Sequence, residues 1–246
     1  MIAGSGIEAL LIRGAGPSLT QFGVTGVLAQ PSLRLFDSTG TVIASNSGWG
    51  TNPNPAQIAS VAAQAGAFPF ASGSADCAMI VNLPAGAFTV EVSGVGNTTG
   101  VALAEVYEVS SSDTRLVNIS TRAQVGTGAN IIIIGFVISG NGSEKLLLRG
   151  DGPSLTQFGV ADVLIQPTLS LFSGQAMLAS NTGWATNANP AQIASFATDI
   201  GAFALPESSA DCSVVVSLLA GVYTAEVSGV NGTTGVALAE GYEIQQ

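Results

Sequence analysis

Two glutamates occupy positions where a carboxylate could do chemistry. Glu105 and Glu240 are equivalent in an internal repeat, and each shares a predicted strand face with a leucine and a tyrosine. A carboxylate on an apolar face is either a catalytic acid or base, as in a glycosidase pair, or one half of a structural ion pair. Arg13 and Arg149 are the only cations that recur in both copies. We therefore predict the structural ion pairs Arg13–Glu105 and Arg149–Glu240.

Tryptophan and cysteine also recur at equivalent positions, where they could contact a sugar ligand or form a disulfide bridge. Trp49 and Trp184 follow Asn-Ser-Gly and Asn-Thr-Gly just after a predicted strand. An exposed tryptophan could stack on a sugar ligand, whereas a buried one would anchor the loop over the core; we favour the anchor. Cys77 and Cys212 provide one thiol per copy, so neither copy can form an internal disulfide. They are either small buried side chains or a bridge between domains or subunits.

Most catalytic classes are excluded by what the sequence lacks. There is no histidine, which removes Ser-His-Asp and Cys-His arrangements and most zinc sites. Gly14–Ser18 and Gly150–Ser154 resemble a phosphate-binding loop, but no lysine follows where such a loop needs one. We interpret these segments as tight turns that leave a strand. The sequence predicts a protein that is not an enzyme and that needs no cofactor or metal ion.

The elements that position these residues are written twice in the chain. Arg13–Val24 returns as Arg149–Val160, and the octapeptide Thr98–Glu105 returns unchanged as Thr233–Glu240. A repeat of this length indicates tandem domains. We predict a first copy, a linker and a second copy at residues 1–109, 110–114 and 115–246.

Short apolar stretches separated by Gly, Asn, Ser and Pro predict β-strands throughout both copies. One helical stripe interrupts them, with Asn54 as its cap, Pro55 at its first position and Gly66 at its end. The predicted fold class is all-β: two tandem antiparallel β-sandwich domains of jelly-roll or Ig-like type, each with one short helix.

The composition limits the partners. Charged residues are 9% of the chain and the net charge is −10, with only six lysines and arginines. This charge balance argues against nucleic acid as a partner, and no apolar run reaches the ~20 residues of a membrane-spanning helix. An apolar chain with so few charges must bury its surface in a large core or between subunits.

A resemblance to a known family comes from two segments and the units around them. Residues 33–45 and 83–94 resemble bacterial pre-peptidase C-terminal-type β-sandwich domains. With residues 115–122 and 147–155, the whole unit looks like a tandem repeat domain of large secreted or surface proteins of bacteria. The resemblance implies an extracellular, non-catalytic β-module and does not imply a ligand.

The first copy lacks a segment that the second possesses. Residues 115–136 have no counterpart before Met1, which aligns with Val137. A sandwich without its opening strands exposes unpaired backbone groups, which upstream residues or another subunit could cover by strand addition. We predict a structural subunit of an extracellular filament or surface assembly, a homo-oligomer or polymer joined through sheet edges. The alternative is a carbohydrate-binding or adhesive module of a secreted protein. The residues predicted at the assembly edge are Ile131, Ile132, Ile133, Ile134 and Phe136.

Overall fold

A computed structural model describes residues 1–109 and 113–244 and divides the chain into two compact units, Met1–Val117 and Asn118–Gln246. The division falls just after Arg115–Leu116, which forms a short strand paired with Ile2 and Ala3 and so belongs to the first unit. Of the predicted linker, residues 110–112 lie outside the described residues.

The first unit is a sandwich of two antiparallel sheets. Its elements are β1 (Ile2–Ala15), β2 (Pro31–Phe36), β3 (Val42–Asn46), α1 (Pro55–Gln64), β4 (Cys77–Gly86), β5 (Thr89–Gly94), β6 (Leu103–Glu108) and β7 (Arg115–Leu116). One sheet has the strand order β4-β1-β6, with β7 on the start of β1, and the other has the order β3-β2-β5.

The second half of the central strand β1 is buried on both faces, which explains its mainly apolar sequence from Ala9 to Ala15. Leu10 and Ile12 point into the core between the two sheets. Leu11, on the opposite face, packs against Ile58 and Ala62 of α1. The sheet that carries β1 and β6 therefore lies between the second sheet and the helix layer, and its helix-facing side chains include Arg13 and Glu105.

The described residues of each unit form one α-helix, which begins where the sequence predicts. Asn54 caps α1 by accepting a hydrogen bond from the Gln57 backbone N–H (3.2 Å), and Pro55 occupies the first helical position. Gly66 follows the helix with a φ of +74°, a conformation that glycine adopts without strain. Asn189 and the helix α2 (Pro190–Asp199) repeat this arrangement.

The second unit uses longer strands. Its further elements are β8 (Asn118–Val125), β9 (Ile132–Asp151), β10 (Pro167–Ser173), β11 (Ala176–Asn181), β12 (Cys212–Gly229) and β13 (Gly235–Glu243). The strand order is β11-β10-β12-β9-β13-β8. β9 and β12 remain paired from Ile132↔Val227 to Gly150↔Cys212, with one register shift between Leu219 and Gly221.

The predicted all-β sandwich class is confirmed. The sequence did not predict the three short 3-10 helices of each unit, which are segments of three to six residues between strands. Among the described residues, no helix is long and apolar enough to cross a membrane.

Candidate functional site

The structure brings together both arginine–glutamate pairs expected from the sequence. The Arg13 Nε atom lies 3.3 Å from Glu105 Oε2, and Arg149 Nε lies 3.3 Å from Glu240 Oε2. The strand register causes this, because Arg13 on β1 is directly opposite Glu105 on β6. Both arginines are 1% exposed, so each pair is formed inside its unit.

In the first unit, aromatic rings supply much of the environment of the buried cation. The Arg13 guanidinium carbon lies 4.5 Å from the ring centroid of Phe68 and 3.9 Å from that of Phe70. Arg13 Nη2 donates to the Phe68 carbonyl oxygen (2.8 Å), while Nη1 is buried without a hydrogen-bond partner. Cation–π contacts are strongest at such desolvated sites.

In the second unit, a second carboxylate replaces one of the rings. Asp151 is fully buried and accepts hydrogen bonds from Arg149 Nε (3.3 Å) and Nη2 (2.9 Å). Arg149 Nη1 donates to the carbonyl oxygen of Phe203 (2.9 Å), whose ring centroid lies 4.2 Å from the guanidinium carbon. The two copies therefore differ at two positions together: Ala15 and Phe70 in the first correspond to Asp151 and Leu205 in the second.

Burial controls the protonation of both clusters. Burial raises the pKa of Glu105, although the hydrogen bond from the Tyr107 hydroxyl and the charge of Arg13 oppose it. Burial also raises the pKa of Asp151 well above its ordinary value; Arg149 lowers it and the Glu240 carboxylate raises it further. A general acid must contact substrate. The Glu105 and Glu240 side chains are only 11% and 5% exposed and face their own arginine and tyrosine, which favours a structural role.

A further carboxylate in each unit, which the sequence analysis did not identify, holds the glycine-rich turn. Asp76 is fully buried and accepts hydrogen bonds from the backbone N–H groups of Gly16 (2.8 Å) and Ser18 (3.2 Å) and from the Ser18 hydroxyl. Asp211 makes the same three bonds in the second unit. The phosphate-loop-like segment thus binds an anion from its own chain. A side chain at Gly16 is excluded, since its Cβ would lie 2.1 Å from a backbone oxygen.

The tryptophans are loop anchors in the structure. Trp184 is 6% exposed, packs in the core against Leu147, and donates from Nε1 to the Pro206 carbonyl oxygen (2.9 Å). Trp49 is partly buried and donates to Ser74 Oγ (3.2 Å). A ring that is buried in this way cannot offer a face to a sugar, so Trp184 gives no support to a stacking platform.

The cysteines are free thiols in the core. Cys77 and Cys212 are both fully buried, and their Sγ atoms lie 3.4 and 3.2 Å from the carbonyl oxygens of Gly14 and Gly150. Burial raises the pKa of Cys77 to about 12 and raises that of Cys212 as well. In this structure the two thiols act as small buried side chains and form no bridge.

The exposed aromatic residues are phenylalanines that the sequence analysis did not select. Phe22 and Phe158 end equivalent 3-10 helices, and each is 59% exposed. Beside Phe22, a groove of about 370 Å³ runs between Pro17–Gln21 and Pro69–Ser74. Its polar side chains already bind the chain itself, as Gln21 does by donating to the Ser18 carbonyl oxygen. Among the described residues, no cluster of His, Cys, Asp and Glu is arranged to hold a metal ion.

The largest difference between the units is an incomplete side of the first sandwich. In the second unit, β13 pairs with β8, and the part of β12 from Gly221 to Val227 pairs with the first half of β9, Ile132–Ile138. In the described part of the first unit, β6 pairs only with β1, and β5 pairs only with β2. We call the outer edges of β5 and β6 the open flank.

Strands of the first unit that lack a partner are shorter than their equivalents in the second unit. β6 has six residues, whereas its equivalent β13 has nine and begins at Gly235, opposite Val125 of β8. Similarly, β4 and β5 are separate strands, whereas their equivalents form the single strand β12. The residues that lose strand structure in the first unit are those whose equivalents pair with β8 and the first half of β9.

The octapeptide that is identical in both copies allows the exposure of side chains at the open flank to be compared directly with the second unit. Ala102 and Ala104 are exposed, whereas Ala237 and Ala239, in the same octapeptide, are 0% and 1% exposed in the core of the second unit. On the other sheet, Val92 is partly exposed and its equivalent Val227 is fully buried. Because the local sequence around the alanines is the same, we attribute the difference between the two copies to the strands that only the second unit has, β8 and the first half of β9.

The residues predicted as an assembly edge belong mostly to the core of the second unit. Ile132 is 4% exposed, and Ile131, Ile134 and Phe136 pack against the same core; only Ile133, at 52%, points outward. Strand alternation separates these directions. The backbone edge of Ile132–Ile138 that faces away from β12 pairs with no described strand. This segment therefore offers an edge through its backbone rather than through its isoleucine side chains.

Comparisons with known proteins add little beyond the fold. No protein-family model matches the chain, and no curated protein matches it. Among solved structures, it is similar to the pre-peptidase C-terminal domain of a Bacillus anthracis collagenase (10% identity, TM-score 0.30), covering 50% of this chain and 87% of that one. It is similar to PNGF-II (10%, TM-score 0.27), covering 99% of this chain and 57% of that one. The third is the major capsid protein P2 of bacteriophage PM2 (7%, TM-score 0.23), covering 100% and 91%. Likenesses this weak support no functional argument.

Proposed function

We propose that this chain is a non-catalytic structural module of an extracellular or cell-surface assembly, and that its first unit is completed by β-strands supplied from outside that unit. The observation that carries the proposal is the open flank, where Ala102 and Ala104 are exposed although their equivalents Ala237 and Ala239 are buried. Exposed strand edges bind further strands through main-chain hydrogen bonds, and the apolar side chains beside them become buried.

Three further features support a structural role. Buried charged groups in the units already have partners within the fold: Asp76 binds the backbone of Gly16, and Arg13 pairs with Glu105. The low charge content favours burial of surface between subunits. The resemblance of residues 33–45 and 83–94 to pre-peptidase C-terminal-type domains belongs to the same proposal and is the reason for proposing an extracellular location.

The test is whether the open flank accepts strands in trans. A labelled peptide with the sequence of residues 118–138, kept soluble by a charged tag, is titrated into the full chain and followed by fluorescence anisotropy. We expect saturable binding at one peptide per chain, lost in the double variant Ala102→Lys/Ala104→Lys. Val42→Lys, on the exposed strand β3, is the matched control and should bind like wild type. Absence of saturable binding to the wild-type chain refutes the proposal.

A second candidate function, glycan binding, is favoured by one observation. Phe22 and Phe158 present rings that are 59% exposed at equivalent positions, each held edge-on by a second phenylalanine, Phe68 or Phe203. Exposed aromatic rings are the platforms on which sugar rings stack. On a glycan array, binding that disappears in Phe22→Ala/Phe158→Ala but persists in Trp49→Phe would support this function, and a blank array for the wild type would exclude it for the glycans tested.

A further inference from the structure

The second unit has two strand edges on the side of its sandwich that is equivalent, by the internal repeat, to the open flank of the first unit. Among the described residues, no strand pairs with the outer edge of β8 at Ile119–Val125 or with that of Ile132–Ile138 in β9. We call these two edges the β8–β9 flank. Natural edge strands usually carry lysine, proline or a bulge that blocks further pairing. Neither segment contains a lysine or a proline, and Arg122 is their only charged residue.

The side chains beside these edges match those of the open flank. Thr121 and Ala123 lie directly opposite Ala239 and Ala237, so they point to the interior face of the sheet, yet both are exposed. They are exposed because no described strand covers the side of the sandwich at β8. Ala102 and Ala104 occupy the same face at the open flank and are also exposed. Each flank thus combines unpaired backbone with small, uncharged interior-facing residues that allow close approach.

We infer that the open flank of one chain is covered by the β8–β9 flank of a second copy, so that β6 pairs with β8 of that copy and β5 pairs with the first half of its β9. This inference rests on the proposed function and names its partner. Both sheets then continue across the contact, each sandwich gains its missing neighbour, and each chain uses one flank of each kind. Such an unlike-to-unlike contact either closes as a dimer or continues as a polymer.

Counting flanks favours this arrangement over strand exchange. If β8 and the start of β9 left their own unit to complete the first unit of another chain, Ala237 and Ala239 would become exposed in exchange for Ala102 and Ala104. One open flank per chain would remain, and no net surface would be buried. Edge-to-edge addition leaves the pairing of β8 with β13 intact and covers both flanks at once.

The decisive experiment uses two complementary variants of the full chain. Ala102→Lys/Ala104→Lys places charges on the open flank, and Thr121→Lys/Ala123→Lys places them on the β8–β9 flank; all four positions are exposed, so each unit keeps its fold. Masses are measured by sedimentation equilibrium over a wide concentration range. Val42→Lys again serves as the matched control, and circular dichroism verifies folding.

We expect the wild type and Val42→Lys to self-associate and each double variant alone to remain monomeric. An equimolar mixture of the two variants should form heterodimers and nothing larger, because one intact flank of each kind remains. The inference is overturned if the wild type stays monomeric, if either variant still self-associates, or if the mixture stays monomeric. When the wild type stays monomeric but the peptide of residues 118–138 binds, the proposed function stands and the partner is not a second copy. When the peptide also fails to bind, both are wrong.

Discussion

The buried charge cluster of the second unit gives the sharpest stability prediction, because the first unit stabilises its equivalent arginine with an aromatic ring instead of a second carboxylate. Asp151→Ala removes a carboxylate that accepts two hydrogen bonds from Arg149, leaving the guanidinium with Glu240 at 3.3 Å and the Phe203 carbonyl oxygen at 2.9 Å. Leaving a buried donor without its acceptor costs about 1–3 kcal/mol, and more when the donor is charged, as a guanidinium is. Since Glu240 remains, we expect a loss of about 3 kcal/mol in the free energy of unfolding.

The first unit indicates which second substitution should restore part of the lost free energy of unfolding. There, Ala15 stands where Asp151 stands, and the Phe70 ring lies 3.9 Å from the guanidinium carbon. Adding Leu205→Phe to Asp151→Ala should therefore provide a second aromatic face for Arg149. A desolvated cation–π contact contributes about 2 kcal/mol, so the free energy of unfolding of the double variant should be about 1 kcal/mol lower than that of the wild type. In the presence of Asp151, Leu205→Phe alone should destabilise by about 1–3 kcal/mol through overpacking.

Urea unfolding measures the cycle in a Trp49→Phe background, where Trp184 is the remaining tryptophan and its fluorescence follows the second unit alone. The reasoning fails if Asp151→Ala unfolds like its parent. It also fails if the double variant is no more stable than Asp151→Ala, because the rings would then not compensate the charge.

Three other predictions concern single groups. Asp76→Asn should lower the free energy of unfolding of the first unit by about 2–4 kcal/mol, since it weakens charge-assisted bonds to the glycine-rich turn, and an unchanged urea midpoint would contradict this. Cys77 and Cys212 should resist a thiol reagent in the native chain and both react in urea; fast native labelling would contradict their burial. Burial raises the pKa of Glu105, so the folded first unit binds that proton more tightly than the unfolded chain does. Its stability should therefore fall as pH rises from about 4.5 through the raised pKa, and Glu105→Gln should remove this slope; parallel pH profiles for the two proteins would contradict it.

Local chemistry made part of the fold predictable from the sequence. Asn54 and Pro55 mark the start of a helix in any context, because a cap and a first-turn proline act on the nearest backbone groups. The partners Arg13 and Glu105 were predictable because only one cation recurs in both copies and only one recurring carboxylate lies on an apolar face. These inferences needed the repeat, which separates retained residues from incidental ones within a single chain.

Other features depend on contacts that no local pattern reveals. Asp76 precedes a buried cysteine in both copies, but its role appears only when the turn at Gly16, distant in the sequence, folds against it. The one available signal was a glycine-rich turn that could bind an anion and lacked the lysine of a phosphate site. Asp151 occurs in one copy alone, so the repeat argument passed over it. Trp184 follows the same Asn-x-Gly pattern that an exposed loop residue would, and only packing distinguishes the two outcomes.

The octapeptide shared by the two copies shows why burial in a β-sandwich is a property of sheet order rather than of sequence. Ala237 is buried in a core that includes Val125 of β8 and Ile132 of β9, and its twin Ala102 is exposed because the described first unit supplies no equivalents of those strands. The same substitution at both places separates the two situations. Ala239→Lys must bury an ammonium group in the core of the second unit and should strongly destabilise that unit. Ala104→Lys should leave the stability of the isolated chain unchanged. Equal costs at the two alanines would mean that the open flank is covered already, and the assembly proposal would lose its foundation.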